Sequence, residues 1–213
     1  GAPLLEVLHE QNWETLFPRL GAAVADLHKS AMPGLRPGPE MTDALKTAAD
    51  DAAELVLLAP QLREQITLWL DCLTAQQNTF AQENLPLATT HGAIRLEQML
   101  LRGPELALID FDALALGDPC ADVAEFIASL QFLELSQGGL RSRLLEATQL
   151  FLRGYSQPAP WAAAPKRVAW YALAFLLSKM FLAVKNLDRR SLQYLESAGM
   201  LMGQQWYDQL EKC

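Results

Sequence analysis

The sequence predicts an α+β fold that is predominantly helical and carries one small β-hairpin. Apolar residues recur at helical spacing over most of the chain, between breaks rich in Gly and Pro. One region departs from that spacing. Met99-Leu100-Leu101 and Leu106-Ala107-Leu108-Ile109 are short apolar runs joined by Arg102-Gly103-Pro104-Glu105, a turn-forming sequence. The chain has 213 residues, 51% hydrophobic and 20% charged, which suits one large globular domain, or a tight pair of subdomains, over residues 1–213 with a sizeable core.

The elements follow in order. Ala2 to Leu8 is short and apolar and gives no clear element. Trp13 to Lys29 reads as a helix through Leu16, Leu20, Val24 and Leu27, and Met32-Pro33-Gly34 ends it. Gly34 to Pro39 is a loop. Met41 to Leu58 is a helix with Thr42 as candidate N-cap. Pro60 suits the first turn of the next helix, which runs to about Phe80 with Leu62, Ile66, Trp69, Leu70 and Leu73 on one face. The polar run Gln76 to Asn84 leads into the hairpin region. Beyond it a helix starts at Asp118 or Pro119 and turns Val123, Phe126, Ile127 and Leu130 inward. Gln137-Gly138-Gly139 is a turn, Leu140 to Tyr155 a helix, and Ser156 to Pro165 a loop rich in Pro and Ala. Lys166 to Leu187 and Arg189 to Leu210 are the last two helices. The chain shows no internal repeat, low-complexity segment or clean linker.

Composition narrows the function. A net charge of -8 argues against a nucleic-acid partner, which favours clustered Lys and Arg. It is compatible with a cationic substrate, although plain solubility accounts for it as well. The three cysteines, Cys72, Cys120 and Cys213, are widely spaced and form no CxxC or Cys/His pattern, so reduced thiols and a cytoplasmic setting are expected. Gly1 to Leu20 has no signal-peptide pattern. The most hydrophobic run, Val168 to Leu177, is shorter than the roughly 20 residues that span a bilayer, so a buried helix and no membrane contact are expected.

The chemistry concentrates between Thr90 and Glu125. A hairpin returns its two ends to one place, so Gln98 and Asp110 should be neighbours. Asp110 closes an apolar strand, where a carboxylate is costly unless it is paired or bound to metal. Gly92 fits a loop conformation that a Cβ would hinder.

Three motifs stand in order. They are His91-Gly92-Ala93-Ile94-Arg95-Leu96-Glu97-Gln98, then Ile109-Asp110-Phe111-Asp112, then Gly117-Asp118-Pro119 followed by Asp122-Val123-Ala124. Together they resemble the catalytic centre of the aminoglycoside phosphotransferase and choline kinase family, distant relatives of protein kinases. That family typically reads H-G-D-x-x-x-x-N, then I-D-F-D or I-D-F-E, then G-D-P and D-L-A. Leu20 to His28 also resembles the family's helix ending in Leu-His. The resemblance covers nearly the whole chain, as a protein-kinase-like C-terminal lobe. The sequence has no GxGxxG or GxxxxGK[ST] pattern, and nothing before Leu27 is strand-rich enough to be the small lobe that covers ATP in kinases. An N-terminal lobe is therefore expected to be absent from this chain.

The resemblance implies phosphorylation of a hydroxyl on a small molecule, with ATP and Mg²⁺ as cofactors of the intact family member rather than of this chain alone. Asp110 would be the main Mg²⁺ ligand. Gln98, at the family's Asn, would be a second oxygen ligand or a structural hydrogen-bonding group. Asp112 would approach the metal or cap the next turn. His91 would brace the loop or act in catalysis, and Asp118 and Asp122 would hold the loop and cap the helix after it, with Asp122 as its buried anchor. Ala93 occupies the position of the catalytic Asp. A methyl group accepts no proton, and general-base help is worth about 10²–10⁴ in rate, so transfer by this chain is expected to be crippled. The alternative is a pseudokinase-type binding or scaffolding module.

Other residues keep two readings. Arg95 contacts phosphate or is a solvated loop arginine. His28 is a ligand or a locally packed helix end. Trp161, Trp170, Tyr171, Phe175 and Phe181 line a substrate pocket or form core. The surface that would face the absent lobe is expected to be apolar and to drive self-association or to hold a bound partner.

Overall fold

The computed structural model describes residues 1–83, 87–137, 140–159, 164–186 and 189–211. In chain order its elements are β1 (Ala2–Pro3), α1 (Leu4–Val7), α2 (Trp13–Lys29), α3 (Met41–Leu58), α4 (Arg63–Ala81), β2 (Ala88–Thr90), β3 (Met99–Arg102), β4 (Glu105–Leu108), β5 (Ala115–Gly117), α5 (Pro119–Gln137), α6 (Arg141–Ser156), α7 (Pro165–Asn186) and α8 (Arg189–Glu211). The fold is mostly helical α+β, as expected. It divides into two compact units. One is Gly1–Gly38, Leu85–Leu130 and Ser142–Ala164; the other is Pro39–Asn84, Gln131–Arg141 and Pro165–Cys213.

The first unit holds all five strands. The predicted hairpin is present, with Met99 opposite Leu108, Leu101 opposite Leu106, and Gly103 at φ 57° in the turn. A lone hairpin is marginal in water, and here it is extended. β1 pairs antiparallel with β3, Ala2 against Leu101, giving a sheet in the order β1-β3-β4. A separate sheet joins β2 to β5, Thr90 opposite Ala115. The expectation of one small hairpin is therefore corrected to two small sheets. Strands of two or three residues are too short to show an alternating pattern, which is why the sequence hid them.

In the same unit Asn12 caps α2, its side chain accepting from the Glu14 N–H at 3.0 Å. The buried face of α2 carries Leu16, Phe17, Leu20 and Val24. Phe17, Phe126, Phe151 and Tyr155 form a line of ring contacts through the core, the Phe126–Phe151 pair stacked at 4.2 Å. The helices α2 and α6 approach closely. A Cβ on Gly21 would collide with the Phe151 and Tyr155 backbone, and one on Gly154 with the Pro18 backbone.

The second unit is helical. α3 is capped by Glu40 rather than Thr42. Glu40 and Asp43 exchange hydrogen bonds between side chain and backbone, a capping box with acidic residues at both ends. α7 packs on α3, α4 and α8, with Trp170 donating to the Leu73 carbonyl at 2.8 Å. The apolar run from Val168 lies inside α7, the helix expected from Lys166 onward. Its stretch Pro165–Lys185 is long and apolar enough to cross a membrane by composition, and 67% of its most apolar window is buried inside the structure. Trp170 and Tyr171 are core, and Phe175 and Phe181 are half-buried. Trp161 and the Gly138-Gly139 turn lie outside the described residues.

Candidate functional site

Every predicted site residue falls in the first unit. β2 delivers the chain to His91, which is fully buried. Gly92 follows at φ 83°, and a Cβ there would sit 2.8 Å from the Ala113 carbonyl oxygen. Conformation and close approach both call for glycine. The turn is held from behind by Asp122, on the first turn of α5 and 2% exposed. Its Oδ2 accepts the His91 N–H at 2.6 Å and its Oδ1 the Gly92 N–H at 2.8 Å. Asp118 caps α5, its Oδ1 accepting from the Cys120 N–H at 2.9 Å.

His28, at the C-terminal end of α2, is buried, and both ring nitrogens are engaged. Nε2 lies 3.1 Å from Asp122 Oδ2 and Nδ1 lies 2.6 Å from the Tyr155 hydroxyl. The local-packing reading of His28 holds, because no ring nitrogen is left for a ligand. Burial pushes the Tyr155 hydroxyl well above its usual range, with Cys120, Asp122 and Asp118 adding to the effect.

His91 joins the turn to the acidic loop. Its Nε2 is 2.9 Å from the Ile109 carbonyl oxygen and its ring lies 5.0 Å from that of Phe111. The carbonyl accepts, so Nε2 carries the proton. The Ile109 N–H donates to the Gln98 carbonyl at 2.9 Å, closing the hairpin's open end. Gln98 and Asp110 meet as expected, Gln98 Nε2 donating to Asp110 Oδ2 at 3.0 Å. Gln98 is 6% exposed, and its Oε1 is buried with no hydrogen-bond partner. Asp110 is exposed and sits at φ 66°, ψ 60°, the one positive φ outside glycine among the described residues.

That pair fits a hard cation. Asp110 supplies an exposed carboxylate, and the Gln98 amide, which turns its nitrogen to that carboxylate, offers its partnerless oxygen to a cation once the amide is turned over. Mg²⁺ characteristically takes one or two protein carboxylates and completes its shell with phosphate and water. Among the described residues no three His, Cys, Asp or Glu side chains are grouped to hold a metal unaided.

Other predicted residues stand apart. Arg95 is exposed and Ala93 half-buried. The Asp112 side chain is exposed, and the Asp112 backbone carbonyl accepts from Arg36 at 3.0 Å. Two contributors had not been anticipated. Tyr155 is 127 positions from His28 in sequence, and no spacing links them. Arg36 belongs to a loop whose backbone runs beside β5, where Gly38 N–H donates to Leu116 O at 2.8 Å and Leu116 N–H to Arg36 O at 2.9 Å. The Pro- and Gly-rich composition there gave only a loop.

A buried aspartate holding a His-Gly turn, beside a hairpin that brings the Gln98 side-chain amide to Asp110, defines the kinase-like class of phosphotransferase fold. The model of the phosphotransferase enzyme family matches residues 1–161, and the chain belongs to that family. Solved structures agree at the level of fold. A glucosamine kinase in complex with glucosamine, ADP and inorganic phosphate matches with TM-score 0.64 and 17% identity, over 99% of this chain and 59% of that one. The aminoglycoside phosphotransferase APH(3'')-Id from Streptomyces rimosus matches with TM-score 0.56 and 21% identity, over 84% and 66%. A choline/ethanolamine kinase family protein from Mesorhizobium loti matches with TM-score 0.54 and 17% identity, over 91% and 62%. The chain therefore spans less than two thirds of each of these structures. A search of curated proteins by sequence gave no significant match.

Proposed function

We propose that this chain is the substrate-side lobe of a small-molecule kinase, one that in its intact form phosphorylates a hydroxyl with ATP and Mg²⁺, and that Ala93 has removed its proton-accepting group. The observation that carries the reading is the Gln98–Asp110 pair, with one amide oxygen orphaned and the aspartate held at positive φ. Gln98 and Asp110 would hold the metal, which when bound supplies Lewis-acid charge against phosphate oxygens. The chain's own residues position the centre. Asp122 fixes the turn that carries position 93, and His91 ties that turn to the loop carrying Asp110. Ala93 leaves the acceptor hydroxyl without a base or an orienting group.

A second reading rests on Ala93 itself, that of a binding or scaffolding module that keeps the turn and the loop without transfer. The two separate on Ala93→Asp, made in a polypeptide that also carries the nucleotide-covering lobe. It is assayed with aminoglycosides, choline-like amines and sugars. A disabled kinase gains about 10²–10⁴ in ATP consumption with the right acceptor, and Asp110→Ala abolishes the gain. No gain across the panel, with Mg-nucleotide binding intact by calorimetry, favours the binding module.

A further inference from the structure

The turn at His91-Gly92 is held by Asp122, and Asp122 is itself engaged by His28, yet a histidine can present either of two tautomers to a partner. A third residue decides between them. Tyr155 is 1% exposed, and among the described residues its hydroxyl has no hydrogen-bond partner other than His28 Nδ1. Asp122 accepts from two backbone N–H groups, so it acts as a carboxylate acceptor and needs a proton on His28 Nε2. If Nδ1 also carried a proton, the Tyr155 O–H would be left buried without an acceptor, a costly arrangement. One order of protons satisfies every group: Tyr155 O–H to His28 Nδ1, then His28 Nε2–H to Asp122 Oδ2. The raised pKa of Tyr155 agrees, since the hydroxyl must keep its proton to donate.

We propose that Tyr155 is a positioning residue, whose hydroxyl fixes His28 as the neutral Nε2–H tautomer and so makes Asp122 a rigid anchor for the His91-Gly92 turn. The packing of the two helices places it there. Gly21 meets the backbone of Phe151 and Tyr155, and Gly154 meets that of Pro18, so α2 and α6 lie close enough for a tyrosine on one to reach a histidine on the other. Nothing in this chain of contacts requires that phosphate be transferred, so it stands or falls apart from the function proposed above.

The test is nuclear magnetic resonance on the 213-residue protein at neutral pH. The nitrogen shifts of His28 are expected to show a proton on Nε2 and a bare, hydrogen-bonded Nδ1. In Tyr155→Phe the Nδ1 shift should move, and the His91 and Gly92 amides should exchange about tenfold faster, the size of one lost buried hydrogen bond. His28→Gln keeps a donor near the Nε2 position and should retain the amide protection, whereas the shorter His28→Asn should lose it. A role in packing alone predicts no such division between Gln and Asn. An Nδ1–H tautomer or an imidazolium in the unaltered protein overturns the proposal. So does a folded Tyr155→Phe with unchanged His28 shifts and unchanged exchange. Should Tyr155→Phe fail to fold, the tautomer of the unaltered protein and the Gln–Asn comparison still decide.

Discussion

Asp110 and Asp122 are both acidic and twelve positions apart, and the fold spends them differently. Asp122 is buried and satisfies two backbone N–H groups and a histidine. Asp122→Ala strands those donors, and a single stranded buried group costs about 1–3 kcal/mol. For a chain of this size that lowers the melting temperature by roughly 2–4 °C per kcal/mol. Asp110 is exposed, makes one side-chain hydrogen bond, and occupies a left-handed conformation that disfavours side chains. Asp110→Ala should therefore cost less than Asp122→Ala, and Asp110→Gly less again because glycine accepts that φ. Melting temperatures of the three variants in chelator give the order, and any reversal contradicts the division of roles. The motif spacing made Asp110, Asp118 and Asp122 legible as residues. It could not show that Tyr155 completes the anchor, because that contact depends on where two distant helices cross.

The same crossing sets a test at the level of elements. Replacing a helical glycine with alanine gains roughly 1 kcal/mol of helix propensity. At Gly21 and Gly154 the new methyl would meet backbone, which cannot rotate away. Overpacking of that kind costs about 1–3 kcal/mol or more, so the packing loss should win. Gly199 in α8 is the contrast. Its Cβ would meet Met180 Cε at 3.0 Å, the far end of a flexible side chain. Gly199→Ala should be neutral or stabilising, and Gly21→Ala and Gly154→Ala destabilising, in chemical denaturation. Equal effects at all three would mean that α2 and α6 are not held by a close approach of backbones. Helices of this length were readable from periodicity because each repeats its pattern over several turns. The short strands β1, β2 and β5 offered no repeat, and the cap at Glu40 lay outside the usual Ser, Thr, Asp and Asn preference.

At the scale of the molecule, the acidic loop carries more than carboxylates. Ile109 is 37% exposed, Phe111 43% and Leu116 40%, and β4 beside them is exposed or half-buried along its length. Scattered apolar residues on a surface need no explanation. Here three large ones lie within eight positions, Ile109 and Phe111 on the loop that holds Asp110 and Leu116 on β5. β4 is also an edge of its sheet, with backbone groups open to a further strand. The salt bridge between Arg102 and Glu105 sits at the turn, and Leu106 and Leu108 are half-buried. An apolar loop beside an open edge is expected to find a partner, and in a solution of this chain alone the partner is a second copy. Sedimentation should show association that grows with concentration. It should weaken when Ile109 and Phe111 are both changed to Ser, and Leu57→Ser, on an exposed leucine of the other unit, should leave it unchanged. A protein that stays monomeric at high concentration, or whose association ignores Ile109 and Phe111, would show that this rim is tolerated in water and is no interface.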